Sequence, residues 1–180
     1  MDMDRNSLMA AFAAPSIALI SVGLATGAGL DDRAAYGAAV ASLSAEDAAA
    51  HAQSTFARAD LDRSGALDVE EYEALAIVTA ELARLNGFIA LEVGGGQEIV
   101  PLPVIAPAAL AGSERARVTA LAHAEFYALA GEDAVIDFSE YAGEQDARFA
   151  AADRNRNGAL AKAELVSFAA RAAMLARSDA

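Results

Sequence analysis

Along the chain, apolar and polar positions divide into one uncharged run and a series of helical segments. Leu8 to Leu30 is 23 residues without a charge, enough to cross a bilayer at ~1.5 Å per residue. After Leu30 the pattern turns helical. It predicts a short helix over Asp31–Leu43 and a second from Ser44 to about Ala59, where Ser44-Ala45-Glu46-Asp47 can serve as an N-terminal cap. A third spans Val69 to about Asn86 and stops at Asn86-Gly87. The period then changes from helical to alternating. Ile89, Leu91 and Val93 lie on one side of Gly94-Gly95-Gly96, and Val100, Leu102 and Val104 on the other, which predicts a small β-hairpin insertion at about 88–104. Pro101 and Pro103 restrict its second arm to an edge or to irregular extended chain. Helices return at Glu114 to about Ala130 (with Ser113 as cap), Phe138–Ala152 and Ala163–Arg177.

The uncharged run has three readings. As a secretory signal it would end in small-residue cleavage sites at Ala25-Thr26-Gly27 or Gly27-Ala28-Gly29, although Asp2 and Asp4 stand where positive charge is usual. An uncleaved anchor is the second reading, set against Pro15 and the dilution by Ala, Ser, Gly and Thr. The third is a buried helix of the folded domain. The chain divides accordingly into residues 1–30 and a domain over 31–180.

Composition sharpens this picture. Alanine fills 50 of the 180 positions, so the 56% hydrophobic content overstates the core; alanine favours helix but buries little area. The absence of cysteine excludes disulfides, zinc–thiolate sites and thiol nucleophiles. The two histidines, His51 and His123, exclude multi-histidine metal sites. A net charge of −13 repels nucleic acid and anionic lipid and attracts cations and basic partners.

Two segments carry the chemistry. Asp60-Leu61-Asp62-Arg63-Ser64-Gly65-Ala66-Leu67-Asp68-Val69-Glu70-Glu71 and Asp153-Arg154-Asn155-Arg156-Asn157-Gly158-Ala159-Leu160-Ala161-Lys162-Ala163-Glu164 share one layout. Oxygen-bearing side chains stand at the first, third and fifth positions, glycine at the sixth, an apolar residue at the eighth and glutamate at the twelfth. Both segments resemble the twelve-residue loop of the EF-hand calcium-binding family. Such a match arises by chance on the order of 10⁻⁵ to 10⁻⁶ per starting position. The same flanking phenylalanine, Phe56 or Phe149, precedes each.

The resemblance implies a ligand set. Calcium takes six to eight oxygens at ~2.3–2.6 Å. The first site would draw on Asp60, Asp62, Ser64, the Ala66 carbonyl, Asp68 (through or beside a water) and Glu71. The second would draw on Asp153, Asn155, Asn157, the Ala159 carbonyl and Glu164. Glycine at the sixth position allows a turn that other residues resist. The first loop carries a formal charge of −4 and the second +1, so the first is expected to bind calcium more tightly.

A third segment, Leu129–Glu140, keeps apolar Ile136 and terminal Glu140 but lacks the first acid and the sixth glycine. It reads either as an EF-hand that lost its metal or as a plain helix–turn–helix. Its start lies 24 residues before Asp153 (153 minus 129). One helix of about 20 Å must therefore separate the two loops, which cannot pair with each other. Leu67 is expected beside Ile136, leaving Leu160 to a dimer axis or to another part of the chain. Bacterial EF-hand proteins, including the lanthanide-binding lanmodulins, are similar in this compact spacing. Lanmodulin loops carry proline at the second position, where this chain has Leu61 and Arg154.

No nucleophile elbow, His-Glu-x-x-His run or phosphate-cradling glycine loop is present, and no enzyme is expected. The fold expected is all-α: EF-hand units with short inter-loop strands and the hairpin insertion. The function expected is reversible calcium binding, as a sensor or buffer of the bacterial envelope, periplasmic or exported. The alternative is a calcium-stabilised subunit of a larger, membrane-bound assembly, anchored or cytoplasmic. Partners expected are a basic or apolar protein, a membrane through residues 8–30, or a second copy through an unpaired EF-hand; nucleic acid is not among them.

Overall fold

The computed structural model describes residues 36–103 and 108–175. The uncharged run Leu8–Leu30, with every reading of it, lies outside these residues. Among the described residues are five helices: α1 (Ala45–Ala59), α2 (Val69–Asn86), α3 (Gly112–Leu129), α4 (Phe138–Ala152) and α5 (Lys162–Ala172). Seven short strands join them: β1 (Ala38–Ala39), β2 (Ser42–Ser44), β3 (Ala66–Leu67), β4 (Phe88–Val93), β5 (Gly96–Pro101), β6 (Ile136–Asp137) and β7 (Ala159–Ala161). The all-α expectation is therefore only approximate. The strands form one three-stranded sheet, ordered β1-β5-β4, and two two-stranded ladders, β2-β7 and β3-β6.

Local chemistry sets the helix boundaries. Ser44 caps α1 by accepting from the Asp47 amide at 3.0 Å. Asp68 and Glu71 close a reciprocal capping box at the start of α2, as Asp137 and Glu140 do for α4. Gly87, at φ +71°, ends α2 in the left-handed conformation. Helix α3 starts earlier than Ser113: Ala111 is its N-cap, with the Glu114 carboxylate accepting from the Ala111 amide at 2.8 Å.

The expected helix over Asp31–Leu43 is not formed where the structure describes it. Ala38–Ala39 runs parallel to Glu98–Ile99, and Ser42–Ser44 pairs antiparallel with Ala159–Ala161. Alanine's helix propensity is outweighed by two sheet partners distant in sequence. Gly37 makes the first contact possible. Its φ is +125°, and a Cβ there would collide with the Gln97 carbonyl oxygen. The hairpin turns on Gly94-Gly95 alone, at φ +57° and +78°, with Val93 opposite Gly96. Strand β5 is the middle strand of its sheet. Pro101 is accommodated at its end, beyond the reach of β1.

Two apolar clusters make up the core. One gathers Phe56, Leu67, Tyr72, Val118, Ala122, Phe126 and Ile136 between α1, α2, α3 and α4. The other gathers Leu43, Leu91, Val100, Phe149, Leu160, Leu165 and Phe168 beneath the hairpin and α5. Each cluster has a ladder at its centre: Leu67 faces Ile136 in the first, and Leu43 faces Leu160 in the second. All four of these side chains are fully buried.

Candidate metal centres

Helix α1 ends at Asp60, whose amide donates to the Phe56 carbonyl at 3.0 Å. The chain then wraps back around the Asp60 carboxylate. Oδ1 accepts from the Ser64 amide at 2.9 Å and Oδ2 from the Gly65 amide at 3.0 Å. Asp62 Oδ1 accepts from the same Ser64 amide at 2.9 Å. The Ser64 hydroxyl and amide hold the Asp62 carboxyl below the usual carboxylate range, so it is ionised at neutral pH. Gly65, at φ +87°, makes the turn. The nearly buried Glu71 closes the loop from the start of α2: Oε1 accepts from the Leu61 amide at 2.8 Å and the Asp62 amide at 3.3 Å, and Oε2 from Asp68 at 3.2 Å.

The outcome is convergence. Carboxylate oxygens of Asp60, Asp62 and Glu71 all lie within 4.8 Å of one another. Three like charges held this close suit a hard divalent cation, which calcium's preference for oxygen satisfies. Ser64 Oγ lies 2.9 Å from the Ala66 carbonyl oxygen, to which it donates. Asp68 stands apart from the cluster, its carboxylate accepting from the Glu71 amide at 2.8 Å as the N-cap of α2.

The second loop repeats this bonding at an offset of 93 residues (153 minus 60). Asp153 Oδ1 accepts from the Asn157 amide at 3.1 Å and Oδ2 from Gly158 at 2.9 Å. Asn155 Oδ1 accepts from the Asn157 amide at 3.0 Å. Glu164 Oε1 accepts from the Arg154 amide at 3.1 Å and, with Oε2, from the Asn155 side-chain amide at 3.1 and 3.2 Å. Asn157 Oδ1 accepts from the Ala159 amide at 2.9 Å. Two differences follow from the sequence. Only Asp153 and Glu164 contribute carboxylates, and Ala161 provides no side-chain cap for α5.

Two further loops complete the arrangement without a comparable donor set. In Leu129–Glu140, Glu140 Oε2 accepts from the Asp137 amide at 3.0 Å, while Asp137 Oδ1 accepts from the Glu140 amide at 2.8 Å. The segment keeps the strand and the outgoing helix, so the plain helix–turn–helix reading gives way. The fourth loop went unread in the sequence. Leu43, Ser44 and Asp47 correspond to Ile136, Asp137 and Glu140 at the same offset of 93. Asp47, at the last position, directs Oδ1 to the Gly94 amide of the hairpin at 3.2 Å. The shared offset, carried also by Phe56 and Phe149, is the signal that could have found it.

Leu67 pairs with Ile136, in line with the 24-residue spacing. Leu160 pairs with Leu43 of the same chain. The second loop is therefore not an unpaired EF-hand, and the reason for expecting a homodimer through it falls away.

The EF hand is the family whose sequence profile matches this chain, over residues 52–76. That segment covers the end of α1, the loop from Asp60 to Glu71 and the start of α2. Residues 52–76 thus match the EF hand, the helix–loop–helix unit that the loop geometry above also describes. Compared with curated proteins and with solved structures, it gives no significant match.

Proposed function

We propose that the protein is a calcium sensor or buffer of an exported compartment, binding the ion reversibly through Asp60–Glu71 and Asp153–Glu164. The observation that carries the reading is the convergence of Asp60, Asp62 and Glu71 within 4.8 Å, in a loop already folded around them. Asp60, Asp62, Glu71 and the Ala66 carbonyl would hold the ion in the first loop. Asp153, Asn155, Asn157, Glu164 and the Ala159 carbonyl would do so in the second. Bound calcium would supply positive charge that offsets the repulsion among the carboxylates. Organising the donors beforehand lowers the ordering cost of binding.

A sensing role is supported by α2, the helix leaving the first loop. It exposes Val78, Leu82 and Leu85 along one side of its second half, an apolar stripe on the helix that Glu71 ties to the loop. Export is supported by the uncharged run Leu8–Leu30 ahead of the EF-hand units. No described helix is long and apolar enough to cross a membrane. Calcium titration of the full chain by calorimetry, alongside an apolar-surface dye, tests the role. A sensor gains dye binding as calcium fills the loops, and a buffer binds calcium without that gain. A rise in melting temperature with no dye response and very slow release indicates a structural staple. Absence of calcium binding refutes the reading. The intact mass of protein recovered from cells tests export, which predicts a mature chain starting near Ala28–Leu30.

A further inference from the structure

We propose that the two calcium loops, though they share no ladder, are thermodynamically coupled through α1 and α4, with Arg148 as a positioning residue of the link. The inference rests on the calcium reading above.

The connectivity forms a closed circuit. Strand β3 of the first loop pairs with β6, which leads directly into α4. Helix α4 ends at Asp153, the first residue of the second loop. Strand β7 of that loop pairs with β2, which leads directly into α1. Helix α1 ends at Asp60, the first residue of the first loop. Each calcium loop is thus clamped by the start of the helix that delivers the other. The two helices also touch: the Phe56 ring of α1 lies 5.4 Å from Phe138 and 5.6 Å from Tyr141 of α4.

A second connection joins the far end of the first loop to α4. Tyr72 follows Glu71 and is buried. Its hydroxyl donates to Glu125 Oε2 of α3 at 3.1 Å. The same oxygen accepts from Arg148 Nη2 at 2.9 Å. Arg148 also donates through Nε to Glu144 at 2.7 Å, and its side chain is only 16% exposed. It stands five residues before Asp153 on α4. Glu71 therefore holds the first loop at one side while its neighbour Tyr72 is tied to the helix carrying the second.

Order imposed on either loop fixes elements on which the other depends. Coupling of this kind is reciprocal by necessity: whatever one site does to the affinity of the other, the other returns. Couplings between distinct sites commonly amount to about 5- to 150-fold, and a circuit closed at both ends is expected to give at least about 5-fold.

The test is a titration of the full chain with calcium chloride, read by calorimetry and by backbone amide shifts. Glu71→Gln is expected to weaken the site at 153–164 by about 5-fold or more; reciprocally, at calcium that fills both loops in wild type, the ion at 60–71 should be held about 5-fold less tightly in Glu164→Gln, although its first filling is unchanged. Filling one loop in the wild type should shift amides of the other. Arg148→Met, which keeps the side-chain stem but loses the fork of donors, should reduce the coupling factor while both ions still bind; Arg148→Lys should restore part of it. If Arg148→Met fails to fold, the reciprocal comparison of Glu71→Gln and Glu164→Gln still decides. Two ions bound by the wild type, with the affinity at 153–164 unchanged within about twofold in Glu71→Gln, less than half the smallest coupling expected, overturn the coupling and leave the calcium reading intact. Binding of a single ion by the wild type also overturns it. Failure to bind any calcium removes both.

Discussion

Glu71→Gln should separate the stability of the ion-free protein from that of the calcium-loaded one. The substitution keeps the shape of a nearly buried side chain and removes its charge. Without calcium, the Glu71 carboxylate faces those of Asp60 and Asp62 within 4.8 Å, where two unit charges repel by about 3.5 kcal/mol at an effective dielectric of about 20. Asp62 is exposed and its share is screened away by solvent; for the half-buried Asp60, screening reduces the realised repulsion to about 1 kcal/mol. Against that relief, glutamine offers one acceptor oxygen in place of two. It can retain the Leu61 amide, bonded at 2.8 Å, but loses the Asp68 amide at 3.2 Å, at a cost of about 1 kcal/mol. The ion-free variant should therefore melt within a few degrees of wild type, on either side. With calcium at 100 times its dissociation constant, wild type gains about 2.7 kcal/mol from one filled site, and the variant forgoes it. Thermal melts followed by circular dichroism, in chelator and in excess calcium, measure both differences. The reasoning fails if Glu71→Gln gains as much from calcium as wild type, or if it melts far below wild type in chelator.

Other expectations concern different parts of the fold. Calorimetry should show two binding events, the tighter abolished by Glu71→Gln and the weaker by Glu164→Gln; persistence of the tighter event in Glu71→Gln would mean that loop rigidity outweighs the charge difference. His51 accepts from the Glu92 amide at 3.3 Å, and burial, then the Arg58 cation, lower its pKa against the opposing pull of Glu92. The unfolded chain therefore binds this proton first, so stability is full above ~6.5 and falls as pH drops towards the lowered folded value; a slope in melting temperature between pH 7.5 and 5 that survives in His51→Gln would place the effect elsewhere. Leu160→Ala empties a fully buried position opposite Leu43 and should cost about 2–5 kcal/mol in urea unfolding, whereas a cost below about 1 kcal/mol would show the ladder to be loosely packed. Gly37→Ala forces a collision with the Gln97 carbonyl, and should speed hydrogen exchange at the Val40 amide, which bonds Ile99 across the same contact.

What could be read in the sequence depended on how local its cause was. Calcium chemistry fixes residue types at fixed spacing, so both twelve-residue loops stood out, as did their glycine turns. Caps are equally local: Ser44 and Gly87 marked the start of α1 and the end of α2 to within a residue. Residues 38–43 differ from the expected helix because nothing in Ala38-Ala39 or Ser42-Leu43 announces a strand. Their conformation comes from Glu98–Ile99 and from Leu160, 60 or more residues away. Pro101 pointed to an edge strand, yet the strand containing it is central because the third strand stops short of the proline. The first of the four loops was hidden for a related reason. It has no acid at its first, third or fifth position and no glycine at its sixth, and only its partner shows what it is.

Helices α1 and α4 are each 15 residues long, and no linker intervenes between either helix and the loops at its two ends. An inserted residue would turn everything beyond it by about 100° and advance it by ~1.5 Å. The phenylalanine four residues before each loop would then leave the core, and the loop would face away from its ladder. Length in this protein is therefore a constrained quantity at two places. Sequence change within 45–59 and 138–152 is confined to replacement, while the two-residue tip at Gly94-Gly95, where a Cβ would meet open space, is where the chain can lengthen without disturbing either loop.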